Sequence, residues 1–115
     1  MTDLSQLLDL TLLDGYKESL GDVVLDKMLS MYREQSIIYL REIEQSIGSE
    51  SQSDWHACCH KMKGAAASTG LKVLRAHLAE IEKQEQTPSW KLEQLEMVKV
   101  HSDEGIKAFE QWLSV

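Results

Sequence analysis

Apolar residues recur at intervals of three and four along most of this 115-residue chain, and no stretch alternates apolar and polar side chains as a half-buried strand would. Such spacing gathers apolar side chains on one face of a helix. Only one proline, Pro88, and six glycines interrupt the chain, so long segments carry no strong helix breaker. The pattern predicts an all-α protein, and the length predicts a single domain over 1–115.

Breaks in the pattern divide the chain into four principal helices and a short lead. The lead is a leucine-rich segment over 3–14, ended by Gly15 or Gly21, and the first principal helix runs from about Val23 to Ile47, with Asp22 as candidate cap and Gly48 as stop. The next helix contains His60, is capped by Ser51 or Ser53 and is followed by Gly70. An element over 71–85 and a last helix from about Ser89, with a possible kink or irregularity over 102–105, complete the chain. Short connections between such helices predict an antiparallel up-down four-helix bundle with an additional short N-terminal helix.

Charge and composition narrow the classes of partner. A net charge of −7 argues against nucleic acid, whose phosphates repel an acidic surface. No apolar run is long enough to span a bilayer, and the N-terminus lacks the pattern of a signal peptide, which predicts a cytoplasmic protein with no membrane partner. The two cysteines, Cys58 and Cys59, are adjacent, and bridging them would strain the backbone, so free thiols are expected.

The stretch from His56 to Gly70 has two helical faces of different character. One face is a stripe of apolar and small side chains of the kind that pack in a core. The adjacent face carries His56, His60, Lys63 and Gly64, and a glycine in mid-helix costs about 1 kcal/mol relative to alanine. We interpret Gly64 as a bare patch of backbone that lets another molecule approach His60. The resulting hypothesis is that His60 is an exposed imidazole that accepts a phosphoryl group from a docked protein.

The same residues carry a family resemblance. His60 is followed by Lys63 and Gly64, then by the small residues of 65–68, then by Gly70 and Leu71. This order resembles the signature of histidine-containing phosphotransfer (HPt) domains, H-x-x-K-G with a small-residue run, a glycine and an apolar residue. The resemblance is specific over about a dozen residues, and the predicted helices extend it to nearly the whole chain.

The resemblance implies a helical bundle that passes phosphoryl groups between receiver-domain aspartates of two-component relays. The expected partners are response-regulator receiver domains and a hybrid sensor histidine kinase, and the expected state is a monomer. His60 would be the phosphoacceptor, and Lys63 would offset charge on the phosphoryl oxygens. The chain has no ATP-binding loop, so we expect no enzyme activity of its own and no resident cofactor, with Mg²⁺ held by the partner receiver.

One position departs from the family pattern. HPt domains often have a glutamine on the following helix that reaches toward the histidine, and counting onward from His60 puts Glu82 at that place. A carboxylate there can accept the Nδ1 proton and leave Nε2 as the nucleophile. Gln84 is the substitute if the helix is offset.

Two other functions remain open from the sequence. A helical adaptor that docks a receiver without accepting phosphate has the same composition. A metal site is the second alternative, because His56, Cys59 and His60 lie within reach of one ion on a helix. His56 is otherwise interpreted as a surface residue, and His77 and His101 as surface or packing residues.

Overall fold

The computed structural model describes residues 3–114, and helices form nearly all of it. The six helices are α1 (Leu4–Leu7), α2 (Leu10–Leu20), α3 (Asp22–Gly48), α4 (Gln52–Ser68), α5 (Lys72–Ile81) and α6 (Pro88–Leu113). From α3 to α6 each helix packs against the next, and α3 packs against α6, which closes a four-helix bundle. The predicted all-α bundle is confirmed, and no strand occurs within the described range.

The N-terminal lead is two helices rather than the one predicted over 3–14. The Asp9 carboxylate accepts a hydrogen bond from the Leu12 backbone N–H at 3.2 Å and thereby starts α2 at Leu10. Just before it, Leu8 is almost fully buried and forms an isolated bridge with Leu71. The helix passes through Gly15 and ends at Gly21, whose φ of +81° favours glycine.

Helix ends account for the remaining differences from prediction. Asp22 is the first residue of α3 rather than its cap, and Gly48 is the last helical residue, with Ser49 as the C-cap. Ser51 caps α4 through its hydroxyl, and Gly70 follows that helix with a φ of +74°, as expected. Helix α5 ends at Ile81, four residues before the predicted end.

The predicted irregularity over 102–105 is wrong, since α6 runs uninterrupted from Pro88 to Leu113. Its small residues there are packing positions instead. The Ser102 hydroxyl forms a buried hydrogen bond of 2.8 Å with the Tyr32 hydroxyl on α3. A Cβ added to Gly105 would lie 3.1 Å from Leu71 Cδ2. Ser102 interrupts the apolar pattern because it binds a polar partner, Tyr32, and Gly105 does so because the Leu71 side chain fills the space beside it.

The core lies between the four long helices and is closed at one end by α1 and α2. Its largest fully buried side chains are Trp55, Phe109, Leu8, Leu13, Leu25, Ile43, Met62, Leu71, Leu74, Leu78, Leu95 and Val98. Leu92 of α6, although apolar, is 47% exposed. Over residues 3–114, no helix combines the length and the apolar character that crossing a bilayer requires.

Candidate functional site

Helix α4 presents His60 to solvent because its opposite face is fixed in the core. Trp55, Cys59 and Met62 are fully buried on that inner face. The indole N–H of Trp55 also donates a buried hydrogen bond of 3.0 Å to the carbonyl of Ile81, which ties α4 to the end of α5. The His60 side chain, on the outer face, remains 65% exposed.

Glu82, the residue after α5, lies beneath the exposed face of α4 and joins the two functional candidates. Its side chain is only 5% exposed. One oxygen, Oε1, accepts a hydrogen bond of 2.7 Å from the Lys63 ammonium. The other, Oε2, lies 3.4 Å from Nδ1 of His60. The structure thus brings together His60, Lys63 and Glu82, all three of which the sequence analysis had selected.

The charge on Glu82 is maintained despite its burial. Burial alone raises the pKa of a carboxyl group, but the hydrogen bond and charge of Lys63, with a smaller effect of His60, reverse that influence and lower the pKa of Glu82 overall. Glu82 is therefore a carboxylate near neutral pH. A carboxylate facing Nδ1 favours the proton on that nitrogen, which leaves the Nε2 lone pair directed away from Glu82.

The contact answers the question of register that the sequence left open. Gln84 lies beyond the end of α5, where its backbone carbonyl accepts a hydrogen bond from Gln52 and its side chain reaches back to the Glu80 carbonyl. It does not join His60. The uninterrupted count from His60 to Glu82 is the correct one.

Gly64 lies on the exposed face of α4, one turn beyond His60. A Cβ built on it meets no atom within 4 Å, so packing inside the bundle does not require a glycine here. Lys61, on the other side of His60, forms an exposed ion pair of 3.1 Å with Glu42 of α3. Its ammonium also lies 5.8 Å from the centre of the Tyr39 ring.

An apolar groove runs beside this site, between α3 and α4. It has a volume of about 540 Å³ and includes Met31, Gln35 and Tyr39 from α3 and Ala65 and Ser68 from α4. Met31 is 65% exposed, and its neighbour Ile38 is 46% exposed. Met31 and Ile38 therefore form exposed apolar area on α3 beside the His60 face.

The metal site suggested by His56, Cys59 and His60 does not form with those residues. Cys59 is fully buried, and burial raises the pKa of its thiol to about 12, so the thiolate that a metal needs is disfavoured. The two histidines do approach each other, with ring centres 6.1 Å apart. Glu82, rather than Cys59, is the third possible ligand beside them.

The other two histidines form a pair that the sequence did not reveal. His77 is buried on α5, and its Nε2 lies 2.7 Å from the side-chain oxygen of Gln94 on α6. Its Nδ1 is 3.2 Å from Nδ1 of His101, also on α6. The expectation of a packing role holds for His77. The contact between His77 and His101 depends on how α5 and α6 pack against each other. The spacing of residues along the sequence does not reveal that packing.

A family model described as "Hpt domain" matches residues 27–113. Among solved structures, the chain is similar to the histidine-containing phosphotransfer domain of ArcB from Escherichia coli, with a TM-score of 0.85 and 23% sequence identity over 98% of each chain. At that identity the likeness shows the shared fold. No curated protein sequence matches the chain.

Proposed function

The chain belongs to the Hpt domain family, and from that premise we propose that it is a histidine phosphocarrier of a two-component phosphorelay, with His60 as the phosphoacceptor. The observation that carries the proposal is the contact between Nδ1 of His60 and the buried Glu82 carboxylate. This contact supports an imidazole whose second nitrogen, Nε2, faces solvent with a free lone pair. An exposed, oriented imidazole is what an incoming phosphoryl group requires.

In the proposed transfer, the Nε2 lone pair of His60 attacks the phosphorus of a phosphoaspartate on a receiver domain. A P–N bond forms as the aspartyl O–P bond breaks, and the aspartate leaves as a carboxylate. The imidazole keeps its Nδ1 proton and gains positive character, which the Glu82 carboxylate beside Nδ1 offsets. Transfer from His60 to a second receiver is the same step in reverse: the P–N bond breaks as a new aspartyl O–P bond forms, and the imidazole of His60 is restored.

Lys63 would offset the negative charge on the phosphoryl oxygens. An ammonium has three N–H donors, and Glu82 occupies one of them. We propose that another donates to an equatorial phosphoryl oxygen as charge develops there, since phosphoryl transfer depends mainly on positioning and electrostatic stabilisation. The ion pair with Glu82 holds the ammonium near the site before the partner arrives.

The partner supplies what this chain lacks. We propose that receiver domains, and a hybrid sensor histidine kinase upstream, provide phosphoaspartate and bound Mg²⁺, while this chain acts as a monomeric carrier without kinase activity or a cofactor. The exposed apolar side chains of Met31 and Ile38 support docking along α3 beside His60. Gly64 would leave the backbone of α4 open to the receiver. The free thiols of Cys58 and Cys59 support a reducing compartment, and we place the exchange in the cytoplasm.

The test is phosphoryl transfer from a purified, phosphorylated receiver domain, measured together with receiver binding. The parent chain and the matched control His56→Gln should accept label, whereas His60→Gln should bind the receiver and accept none. Binding by the parent chain without any acceptance would instead leave a docking adaptor. Acceptance by His60→Gln would remove His60 from the mechanism.

A further inference from the structure

Two histidines and one glutamate converge on the exposed face of α4, and phosphoryl transfer uses only part of this cluster. His56 and His60 are separated by one helical turn, and Glu82 approaches from the end of α5. One ring nitrogen of each histidine and one oxygen of Glu82 lie within 4.8 Å of one another. His56 has no assigned part in the transfer, so its place in the cluster needs a separate explanation.

The Glu82 carboxylate has one oxygen to spare. Oε1 is bound by Lys63 at 2.7 Å, but Oε2 is buried and has no hydrogen-bond partner within residues 3–114. Nδ1 of His60 lies 3.4 Å from it, which is longer than a good N–H···O bond of about 2.9 Å. A buried carboxylate oxygen left unsatisfied is costly, and a cation between it and the two imidazoles would remove that cost.

The donor set favours one class of metal. Two imidazoles and a carboxylate are a known ligand combination for Zn²⁺, with a fourth position open to water, whereas Mg²⁺ and Ca²⁺ prefer oxygen ligands. Zinc–ligand bonds of about 2.0–2.2 Å require donor atoms about 3.4 Å apart. Both histidines are on the outer face of α4, so rotation of their side chains can close the remaining distance.

We propose that His56, His60 and Glu82 form a Zn²⁺ site, and that zinc binding and phosphorylation of His60 exclude each other. The second part rests on the proposed function. A neutral imidazole has a lone pair on only one nitrogen, because the other carries the proton. If zinc binds Nε2 it takes the nucleophilic lone pair directly. If zinc binds Nδ1 the proton moves to Nε2, and the lone pair is again lost.

Zinc binding is tested without any receiver. Calorimetric titration of the parent chain with Zn²⁺ should give one ion per chain, and the same titration with Mg²⁺ should give no heat of binding. His56→Gln and Glu82→Gln should each weaken the zinc affinity by about tenfold or more. Cys58→Ser, which removes the half-buried thiol outside the cluster, should bind as the parent does. Parent-like affinity in His56→Gln, or lost affinity in Cys58→Ser, would overturn the site.

Mutual exclusion is tested by phosphoryl transfer after loading with zinc. The parent chain should accept label without zinc and lose acceptance in proportion to zinc occupancy. His56→Gln should accept label at the parent rate and resist the same zinc concentration. Equal inhibition of both would mean that zinc acts on the receiver and would overturn the exclusion. Failure of the parent to accept label even without zinc would contradict the proposed function, while the zinc titration would stand by itself.

Discussion

Glu82 contacts both His60 and Lys63, and the packing of α4 against α5 determines both contacts. Its position just after α5 buries the carboxylate, and Lys63 and His60 approach its two oxygens from α4. In the proposed transfer the carboxylate therefore has two separable effects on His60. It faces Nδ1 as a possible hydrogen-bond acceptor, and it offsets the positive charge that phosphorylation would give the imidazole.

The first prediction separates these two effects at Glu82. Glu82→Gln keeps an oxygen that can accept the Nδ1 proton, whereas Glu82→Leu removes both acceptor and charge. Because a hydrogen bond to a charged group is worth about 1.5–3 kcal/mol, Glu82→Leu should slow transfer about tenfold or more, with the glutamine variant in between. Transfer rates at saturating receiver provide the kinetic measurement. Nitrogen NMR should show more Nε2–H tautomer of His60 in the leucine variant; unchanged rate and tautomer in that variant would rule out an orienting role.

The second prediction compares two lysines that flank His60. Lys63→Ala leaves the buried Glu82 carboxylate without its cation and should cost about 1–3 kcal/mol of unfolding free energy. Lys61→Ala removes an exposed ion pair with Glu42 and an exposed contact with the Tyr39 ring, and should cost no more than about 1 kcal/mol. Denaturant unfolding measures both free energies. Lys63→Ala should also transfer more slowly at saturating receiver, and a parent-like rate would exclude Lys63 from the mechanism.

Sequence reasoning identified the members of this site and the approach of Glu82 to Nδ1 of His60, but not the ion pair of Lys63 with Glu82. The spacing of His60, Lys63 and Gly64 follows from one helix and is readable from the chain. The ion pair of Lys63 with Glu82 depends on how α4 and α5 pack, and so does the unsatisfied Glu82 oxygen. Periodicity predicts which face a residue occupies, but it does not specify what lies across the gap between two helices.

At the scale of the helix, the glycine within α4 and the glycine that follows it have opposite structural demands. Gly64 has helical geometry and open space around it, whereas Gly70 has a φ of +74° and would place a Cβ 2.9 Å from the Leu13 side chain. The first glycine is thus free to be replaced as far as the fold is concerned. The second ends the helix and admits the close approach of Leu13.

The third prediction follows from that contrast. Gly64→Ala should raise the unfolding free energy by about 0.5–1 kcal/mol, because alanine is the better helix former. Gly70→Ala should lower it by at least about 1–2 kcal/mol, the cost of a left-handed backbone for an L-residue. Despite its higher stability, Gly64→Ala should accept phosphate more slowly, and Gly64→Gln more slowly still. Thermal melts and transfer kinetics together measure this; lower melting of both Gly64 variants would assign the glycine to packing, and parent-like transfer would exclude an access role.

Element boundaries show where the sequence sufficed and where it did not. The sequence predicted that Gly70 follows α4 and named Ser51 as one of two candidate caps, because local chemistry determines both features. The break between α1 and α2 was missed, since the burial of Leu8 against Leu71 is a long-range contact. The absence of a break at Ser102 has the same cause, for its partner Tyr32 lies on another helix.

At the scale of the whole molecule, the packing of α5 against α6 places a half-buried histidine, His101, beside His77. His101 faces His77, which is itself held by Gln94, and Glu104 lies on the same helix. Burial, with a smaller contribution from His77, lowers the pKa of His101 below its ordinary value of 6.5, while Glu104 acts in the opposite direction. The folded chain therefore binds this proton less readily than the unfolded chain does.

The fourth prediction is the resulting dependence of stability on pH. Because the unfolded chain takes up more protons as the pH falls through about 6.5 toward the lowered pKa of folded His101, the free energy of unfolding should fall over that interval. Above it the stabilising contribution of neutral His101 should be fully present. Melting temperatures between about pH 8 and pH 5 measure the slope, which His101→Gln should reduce. A parent-like slope in that variant would assign the dependence to other groups.

The acidic, all-α bundle could be predicted most fully from the sequence, because each of its four principal helices contributes its own apolar stripe. The proposed role in signalling depends on one claim, that His60 carries the phosphoryl group. Incubation with a phosphorylated receiver, followed by acid and base treatment and mass-spectrometric mapping, tests it directly. We predict one phosphate per chain, labile in acid, stable in base and located on the peptide containing His60. An acid-stable phosphate, or a phosphate that maps to any other residue, would contradict the account.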